Sequence, residues 1–482
     1  MEAGNVLGIR FESSQRLSLT RQLCDQLRRQ IESGQLPEGF RLPPTRKMAA
    51  ELSISRNVVM ESYEQLIAEG YLISRVGAGT YVAGGIKENA NRRAVGNEKP
   101  VSGQDDVRED VIDFIAGAPD LALFPRKKWG KYLQQAVHDA EHTLFDYGDI
   151  CGDIELREAI VDYLYRMKGI QCRSEQIIIV SGSAEGFLLL SKALSAAFHS
   201  LYIEEPTVDF IRDIFKHMNY RLIPVPVDRH GMNVESMDQW EAGHLVLVTP
   251  SHQFPTGSVL SIQRRQRIIE MAESAGNYIM EDDYDSEFRF KGIPIPPLQT
   301  LAPSRVIHVG TFSKTLSPGL RIGYLVIPNQ LVETVAAMKE QLHLHTPPIL
   351  QRALARFIRD GHLDRHIYRM KAIYKQKRAY LVDQLHDCFG EDLTVHGDEA
   401  GMHVQAEFMR SGYLQIPWED AIHYGVNVHS FGTYSLLPDA YPGKLVFGYG
   451  HLRLDEIRLG IQRLKQFIAE HLPAIQEKKH SG

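Results

Sequence analysis

The chain has 482 residues, 43% hydrophobic and 24% charged, with 54 Lys and Arg against 60 Asp and Glu for a formal charge of −6. That length suits two or three domains, and the composition is that of a soluble globular protein rather than a disordered or fibrous one. Mild acidity offers no bulk attraction for nucleic acid, and no apolar run approaches a membrane span. The start MEAGNVLGIRFESS has no basic-then-apolar signal pattern, so a cytoplasmic protein is expected. Cys24, Cys151, Cys172 and Cys388 are scattered without a CxxC pair. They suit a reducing compartment better than a disulfide frame or a zinc site.

Leu19, Leu23, Leu27 and Ile31 recur every four residues and predict an amphipathic helix, stopped by Ser33-Gly34 and Pro37. Thr45 is read as the N-cap of a short second helix with Met48, Ala49 and Leu52 on its buried face. Ser53-Ile54-Ser55 is a tight connector, and Ser55 caps a third helix whose Val59, Tyr63, Leu66 and Ile67 face inward. Arg56, Asn57 and Met60 then face out at its N-terminal end. A recognition helix reads base edges with its first turn, so Arg56 and Asn57 have the chemistry and the place for it. Residues 71–82, with Gly77-Ala78-Gly79 between two apolar stretches, predict a hairpin able to serve as a wing. By periodicity alone a small helical docking domain fits as well. The string RLPPTRKMAAELSISRNVVMESYEQLIAEGYLISRVGAGTYV nevertheless resembles the winged helix-turn-helix of GntR-type bacterial transcription factors along its whole length. The resemblance implies phosphate or base contacts to double-stranded operator DNA from Arg46, Ser55, Arg56 and Asn57, with Gly77 and Gly79 shaping the wing tip. This unit is assigned to residues 13–84.

Residues 85–110, GIKENANRRAVGNEKPVSGQDDVRED, are polar and read as an exposed linker. From there, apolar runs at 176–180, 200–203, 245–249, 278–280 and 306–309 alternate with helical periods. Short buried strands between helices predict a mostly parallel α/β sheet covered on both faces.

Chemistry gathers at the ends of those runs. Ser181-Gly182-Ser183-Ala184-Glu185-Gly186 opens a helix, where small residues let backbone N–H groups approach a phosphate; a ligand-free turn has the same signature. Thr249-Pro250-Ser251-His252-Gln253-Phe254-Pro255-Thr256-Gly257 is a loop after another strand. Glu281-Asp282-Asp283-Tyr284 places carboxylates and a phenol at a strand's C-terminal end, where α/β sheets bind ligands; a solvated loop or a metal ligand is the plainer reading. Most informative is Val309-Gly310-Thr311-Phe312-Ser313-Lys314-Thr315-Leu316-Ser317-Pro318-Gly319-Leu320-Arg321. It sets a lysine on a Ser/Thr-flanked loop with an arginine seven residues on. That set suits pyridoxal phosphate (PLP), whose aldehyde takes an amine as a Schiff base and whose phosphate needs hydroxyls and a guanidinium.

The order of these pieces, with Tyr147-Gly148-Asp149 before them, resembles fold-type I aminotransferases over residues 111–475. Joined to a GntR-like front, the chain resembles the MocR/GabR group of transcriptional regulators. The resemblance implies that Lys314 is the Schiff-base lysine and that Asp282 pairs with the pyridine nitrogen, Asp283 being the runner-up. It gives Tyr284 the ring hydroxyl and Ser183, Ala184, Thr311, Ser313 and Arg321 the phosphate. It also implies a homodimer in which Tyr147 reaches the phosphate of the partner subunit. Three positions depart from the aminotransferase pattern: Phe254 replaces the asparagine beside the ring hydroxyl, Val208 the stacking aromatic, and Val446 the arginine that clamps a substrate carboxylate. A regulator sensing PLP or a small amino compound is therefore expected rather than an enzyme, with at most weak transaminase chemistry. The competing reading is a PLP-dependent aminotransferase with an accessory N-terminal domain. His343 and His345 have no third ligand nearby, and His403 reads as a packed strand residue, so no metal site is expected.

Overall fold

The computed structural model describes residues 7–11, 17–75, 77–86, 110–237, 240–292, 294–343, 345–397, 399–437 and 440–480. The chain divides into two units, Met1–Val107 and Arg108–Gly482. Most of the expected linker (87–109) lies outside the described residues, as do 13–16.

In the first unit, Leu19–Glu32 is helical, and the Ser18 hydroxyl caps it by accepting from the Arg21 N–H. Leu23, Leu27 and Ile31 are buried against Met48, Val59, Tyr63 and Leu66, whereas Leu19 is 41% exposed. The apolar stripe thus starts one turn later than the four-residue period predicts, because the first turn projects past the core. The second helix, Thr45–Leu52, is preceded by Pro44, and no side chain caps it. Thr45 is therefore its first residue and not its N-cap, which corrects the reading above. Proline before a helix presets the entering φ without needing a donor there. Ser53 adopts a left-handed φ of 55° and ends that helix. Ser55 caps the third helix, Arg56–Ala68, by accepting from the Val58 N–H at 3.3 Å. Strands Leu72–Arg75 and Gly79–Val82 pair antiparallel, Arg75 opposite Gly79, with φ of +74° at Gly77 and +113° at Gly79. Only glycine takes such angles at little cost, so the two glycines set the hairpin tip.

The second unit is built on an eight-stranded sheet. Its spatial order is Ile177–Val180, Gly323–Val326, Val306–Thr311, Tyr278–Asp283, His244–Val248, Ser200–Glu205, Arg221–Asp228 and Gly231–Met232. The pairings are parallel except those of Gly323–Val326 and the short edge strand Gly231–Met232. The apolar runs follow from burial on both faces. Ile177 and Ile179 pack into one core cluster, while Ile178 and Val180 pack into another. Alternate side chains of a strand point to opposite faces, so a strand covered on both sides has no polar register. Strand Tyr278–Asp283 runs three residues beyond the apolar signal and carries Glu281, Asp282 and Asp283 inside the sheet. A smaller four-stranded antiparallel sheet, ordered Leu393–His396, His403–Phe408, Lys444–Gly448 and His429–Ser430, belongs to the same unit with helices His362–Phe389 and Leu454–His480. Among the described residues no helix is long and apolar enough to cross a membrane.

Candidate functional site

Ser183, Ala184, Asp282, Tyr284, Thr311, Ser313, Lys314 and Arg321 all line one cavity of about 290 Å³ in the second unit. The sheet explains why. Parallel strands Tyr278–Asp283 and Val306–Thr311 end side by side, with Asp282 opposite Val309 and Asp283 opposite Gly310, so residues just beyond both strands meet at one edge. The Thr311 hydroxyl donates to the Ser313 Oγ at 3.0 Å and accepts from the Ser313 N–H at 3.1 Å, fixing the loop that presents Lys314. Helix Ser183–Leu194 starts on the same edge, after Gly182 at φ 96° and without a side-chain cap, which leaves its first N–H groups to the cavity.

The pocket fits a phosphorylated heteroaromatic aldehyde by three observations. A Cβ on Gly182 would lie 3.1–3.2 Å from the Arg321 guanidinium, and one on Gly117 would lie 3.0 Å from the Lys314 Nζ. Glycine at both places thus clears the space around the guanidinium and the amine. Arg321 itself sits at a left-handed φ of 50°, and among the described residues no ion pair engages it. A non-glycine residue there is strained, and such strain gathers at functional sites. Burial lowers the pKa of Lys314, opposed by Asp285 and Asp282, and so favours the neutral nucleophilic amine.

Asp282 and Asp283 differ sharply. Asp283 is paired with the Lys168 Nζ at 2.9 Å, deep under the sheet edge. Burial raises its pKa, but Lys168 and His308 outweigh that and hold it below the usual range. Among the described residues no ion pair engages Asp282, and Lys314 is the weakest of the influences on it. Burial, then Asp283, Asp285 and Glu204, push it up to about 8. A carboxyl in that state ionises readily once a protonated ring nitrogen comes beside it. The cavity therefore holds Asp282 and not the runner-up Asp283. The Tyr284 hydroxyl donates to the His252 carbonyl at 3.2 Å.

Tyr147 does not join this group. It is 78% exposed, against the His345 ring at 5.6 Å between centroids. Of the three departures, Phe254 and Val208 line the cavity, while Val446 is fully buried in the small sheet beside Phe431 and Tyr434. His343 pairs with Glu185 at 2.7 Å. Sequence reading missed Gly117 and Phe210, which also line the cavity and carry no motif signal.

In the first unit Arg46, Ser55, Arg56, Asn57, Gly77 and Gly79 are all exposed. The Arg56 Nε donates to the Thr45 hydroxyl at 3.5 Å, which sets the starts of the second and third helices beside each other. One surface therefore offers two helix N-termini and exposed guanidinium groups, a combination that meets phosphate and base edges.

Comparison with known proteins agrees with both units. Residues 19–82 match the family described as bacterial regulatory proteins, gntR family, and residues 109–428 match aminotransferase class I and II. The chain is 34% identical over 458 residues to the "Probable rhizopine catabolism regulatory protein MocR" of Rhizobium meliloti, covering 92% of each chain. It is 32% identical to the "HTH-type pyridoxine biosynthesis transcriptional regulator PdxR" of Corynebacterium glutamicum, covering 92% of this chain and 94% of that one. Among solved structures, the multiple substrate aminotransferase of Thermococcus profundus superposes with a TM-score of 0.69 at 25% identity, covering 76% of this chain and 93% of that one. An aminotransferase domain joined to a GntR-type winged helix-turn-helix is the architecture of a DNA-binding regulator, and the chain belongs to the MocR-type transcriptional regulators of the GntR family.

Proposed function

We propose that the protein is a cytoplasmic homodimer in which PLP is held at Lys314, and that occupancy of this pocket, not turnover, controls operator binding. The cation inventory of the pocket carries the reading. Lys314 and Arg321 are the two cations among its lining residues, and the cofactor engages both. Among the described lining residues a substrate carboxylate then finds no clamp. The Val446 side chain lies in an apolar cluster, and Lys444 turns to Glu407 at 3.4 Å. With Val208 where an aromatic would buttress the ring, two of the usual supports for fast transamination are replaced while those for binding remain.

In this reading the N–H groups of Ser183 and Ala184, the hydroxyls of Thr311 and Ser313 and the Arg321 guanidinium hold the phosphate dianion. Asp282 accepts from the ring nitrogen, and Tyr284 donates to the ring hydroxyl. Bound PLP supplies an electrophilic carbon and an electron-withdrawing ring. The exposure of Tyr147, near exposed Phe145 and Ile154, supports its reaching the phosphate of the partner subunit. Arg56 and Asn57 read base edges, and Arg46 and the Ser55 N-cap meet phosphate, with Gly77 and Gly79 shaping the wing. The signal is PLP itself or a small amine that competes with Lys314. A relative named for pyridoxine biosynthesis supports the first source.

The test titrates PLP and a panel of amino compounds while following visible absorbance and operator affinity together. At least a roughly fivefold change in affinity with PLP or one amine is expected, the lower end of ordinary coupling energies. Rapid multiple-turnover transamination, with operator affinity indifferent to every compound, defeats the reading and promotes the enzyme alternative.

A further inference from the structure

Directly behind Tyr284 three side chains from distant parts of the chain converge. His252 comes from the loop after strand His244–Val248, Asp285 follows Tyr284, and His403 opens strand His403–Phe408 of the small sheet. Each is 1% exposed. The His252 Nδ1 lies 3.1 Å and 3.2 Å from the two Asp285 carboxylate oxygens. The His403 ring sits 4.6 Å from that of His252 between centroids, tilted by 41°. One ligand atom from each residue lies within 4.8 Å of those of the other two.

Ordinary packing leaves this group with an unmet need. The His252 Nε2 is buried without a hydrogen-bond partner, and of the two buried His403 ring nitrogens one has only the Pro255 carbonyl to meet. Buried polar atoms are nearly always paired, so unmet ring nitrogens from two histidines in one cluster ask for an occupant. Glycine at position 401 is what lets the small sheet close on the pair. A Cβ there would lie 1.9 Å from the His252 Cε1 and 2.6 Å from an Asp285 oxygen.

We propose that His252, Asp285 and His403 form a buried binding site for a divalent transition ion of the zinc class. Two neutral imidazoles and a carboxylate are the borderline donor set such ions take. Donors about 2.0–2.2 Å from a shared ion lie roughly 3.0–3.5 Å apart; the His252 Nδ1 and Asp285 already stand 3.1–3.2 Å apart as a hydrogen bond, whose proton the ion would displace. The Tyr284 phenol, 3.4 Å from the His252 Nδ1, stands beside the open position. A bound ion ties the cofactor-side loop, the end of the central strand and the small sheet into one body.

The site stands apart from the PLP reading, so its test uses full-length protein stripped of PLP and of metal by chelation, then titrated with Zn²⁺ and Co²⁺. About one Zn²⁺ per chain should survive gel filtration, and the Co²⁺ complex should show a d–d spectrum without thiolate charge-transfer bands. His403→Gln and Asp285→Asn should each lose at least a hundredfold in affinity, with circular dichroism reporting their fold. Retention of no stoichiometric Zn²⁺ by the wild-type protein overturns the proposal. So does retention unchanged in folded variants, or a Co²⁺ spectrum with thiolate bands, which moves the ion to the cysteines. If the variants fail to fold, the wild-type stoichiometry and Co²⁺ spectrum decide alone.

Discussion

Two neighbouring carboxyls, Asp282 and Asp283, share a strand end yet have opposite electrostatics, and the difference is testable by pH. Asp283 is neutralised by Lys168, whose Nζ also meets Glu287 at 2.8 Å. Asp282 faces the cavity with its pKa pushed up to about 8 by burial and neighbouring acids. A carboxyl with a raised folded-state value binds more protons folded than unfolded, so cofactor-free stability falls as pH rises from about 4 to about 8. Asp282→Asn should therefore melt above wild type at pH 8 without PLP, the gap closing toward pH 5, and should bind PLP more weakly. Thermal melts across pH with and without cofactor check both signs; a gap independent of pH removes Asp282 as the unpaired acid. Asp283→Asn should instead lower stability at every pH above about 4, by about 1–3 kcal/mol, because Lys168 keeps Glu287 as its remaining partner. Lys314→Ala should abolish the covalent visible band, and borohydride trapping followed by peptide mapping should find pyridoxyl on Lys314. A pyridoxyl group on another lysine sinks that assignment. These residues were legible in the sequence because they lie within short motifs. The His252, Asp285 and His403 group was not, because three separate elements bring it together and nothing local marks it.

At the scale of elements, legibility followed burial. Strands apolar throughout were readable because both faces are covered. Strand Arg221–Asp228 was not, since it is half-exposed near the sheet edge and carries Pro224 and Pro226, which ordinarily argue against a strand. Strand Gly323–Val326 hid behind the site motif it follows, and its antiparallel direction has no sequence signature. In the first unit the third helix was read correctly because Ser55 supplies a capping signal, whereas Pro44 displaced the expected Thr45 cap. The DNA-reading assignment is tested on the same elements. Arg56→Ala should cost about 1–3 kcal/mol of discrimination between operator and scrambled DNA if its contact is bidentate to a guanine. Arg46→Ala should weaken binding to both sequences alike and reduce the salt slope by about one unit. Binding isotherms at several salt concentrations separate the two effects. Unchanged discrimination in Arg56→Ala moves the reading surface elsewhere.

For the whole molecule, the proposed reach of Tyr147 to the partner's phosphate would leave the pocket incomplete within one chain and would make a ligand signal collective. Tyr147 is 78% exposed and does not line the cavity of its own chain, so an effect of Tyr147→Ala on PLP affinity would point across an interface. The proposed homodimer would have two such sites, and a mixed dimer distinguishes the arrangements. One chain carries Tyr147→Ala and the other Lys314→Ala. If Tyr147 acts across the interface, one site then pairs intact Lys314 with intact Tyr147, and the other lacks both. If Tyr147 acts within its chain, each site lacks one of the two. The expected outcome is one covalent PLP per mixed dimer, bound with wild-type affinity, while the Tyr147→Ala homodimer binds about tenfold more weakly, the loss of roughly one hydrogen bond to a charged group. Absorbance titration of dimers purified with two different tags reads the stoichiometry and affinity directly. Half-occupancy at the weakened affinity places Tyr147 on its own chain.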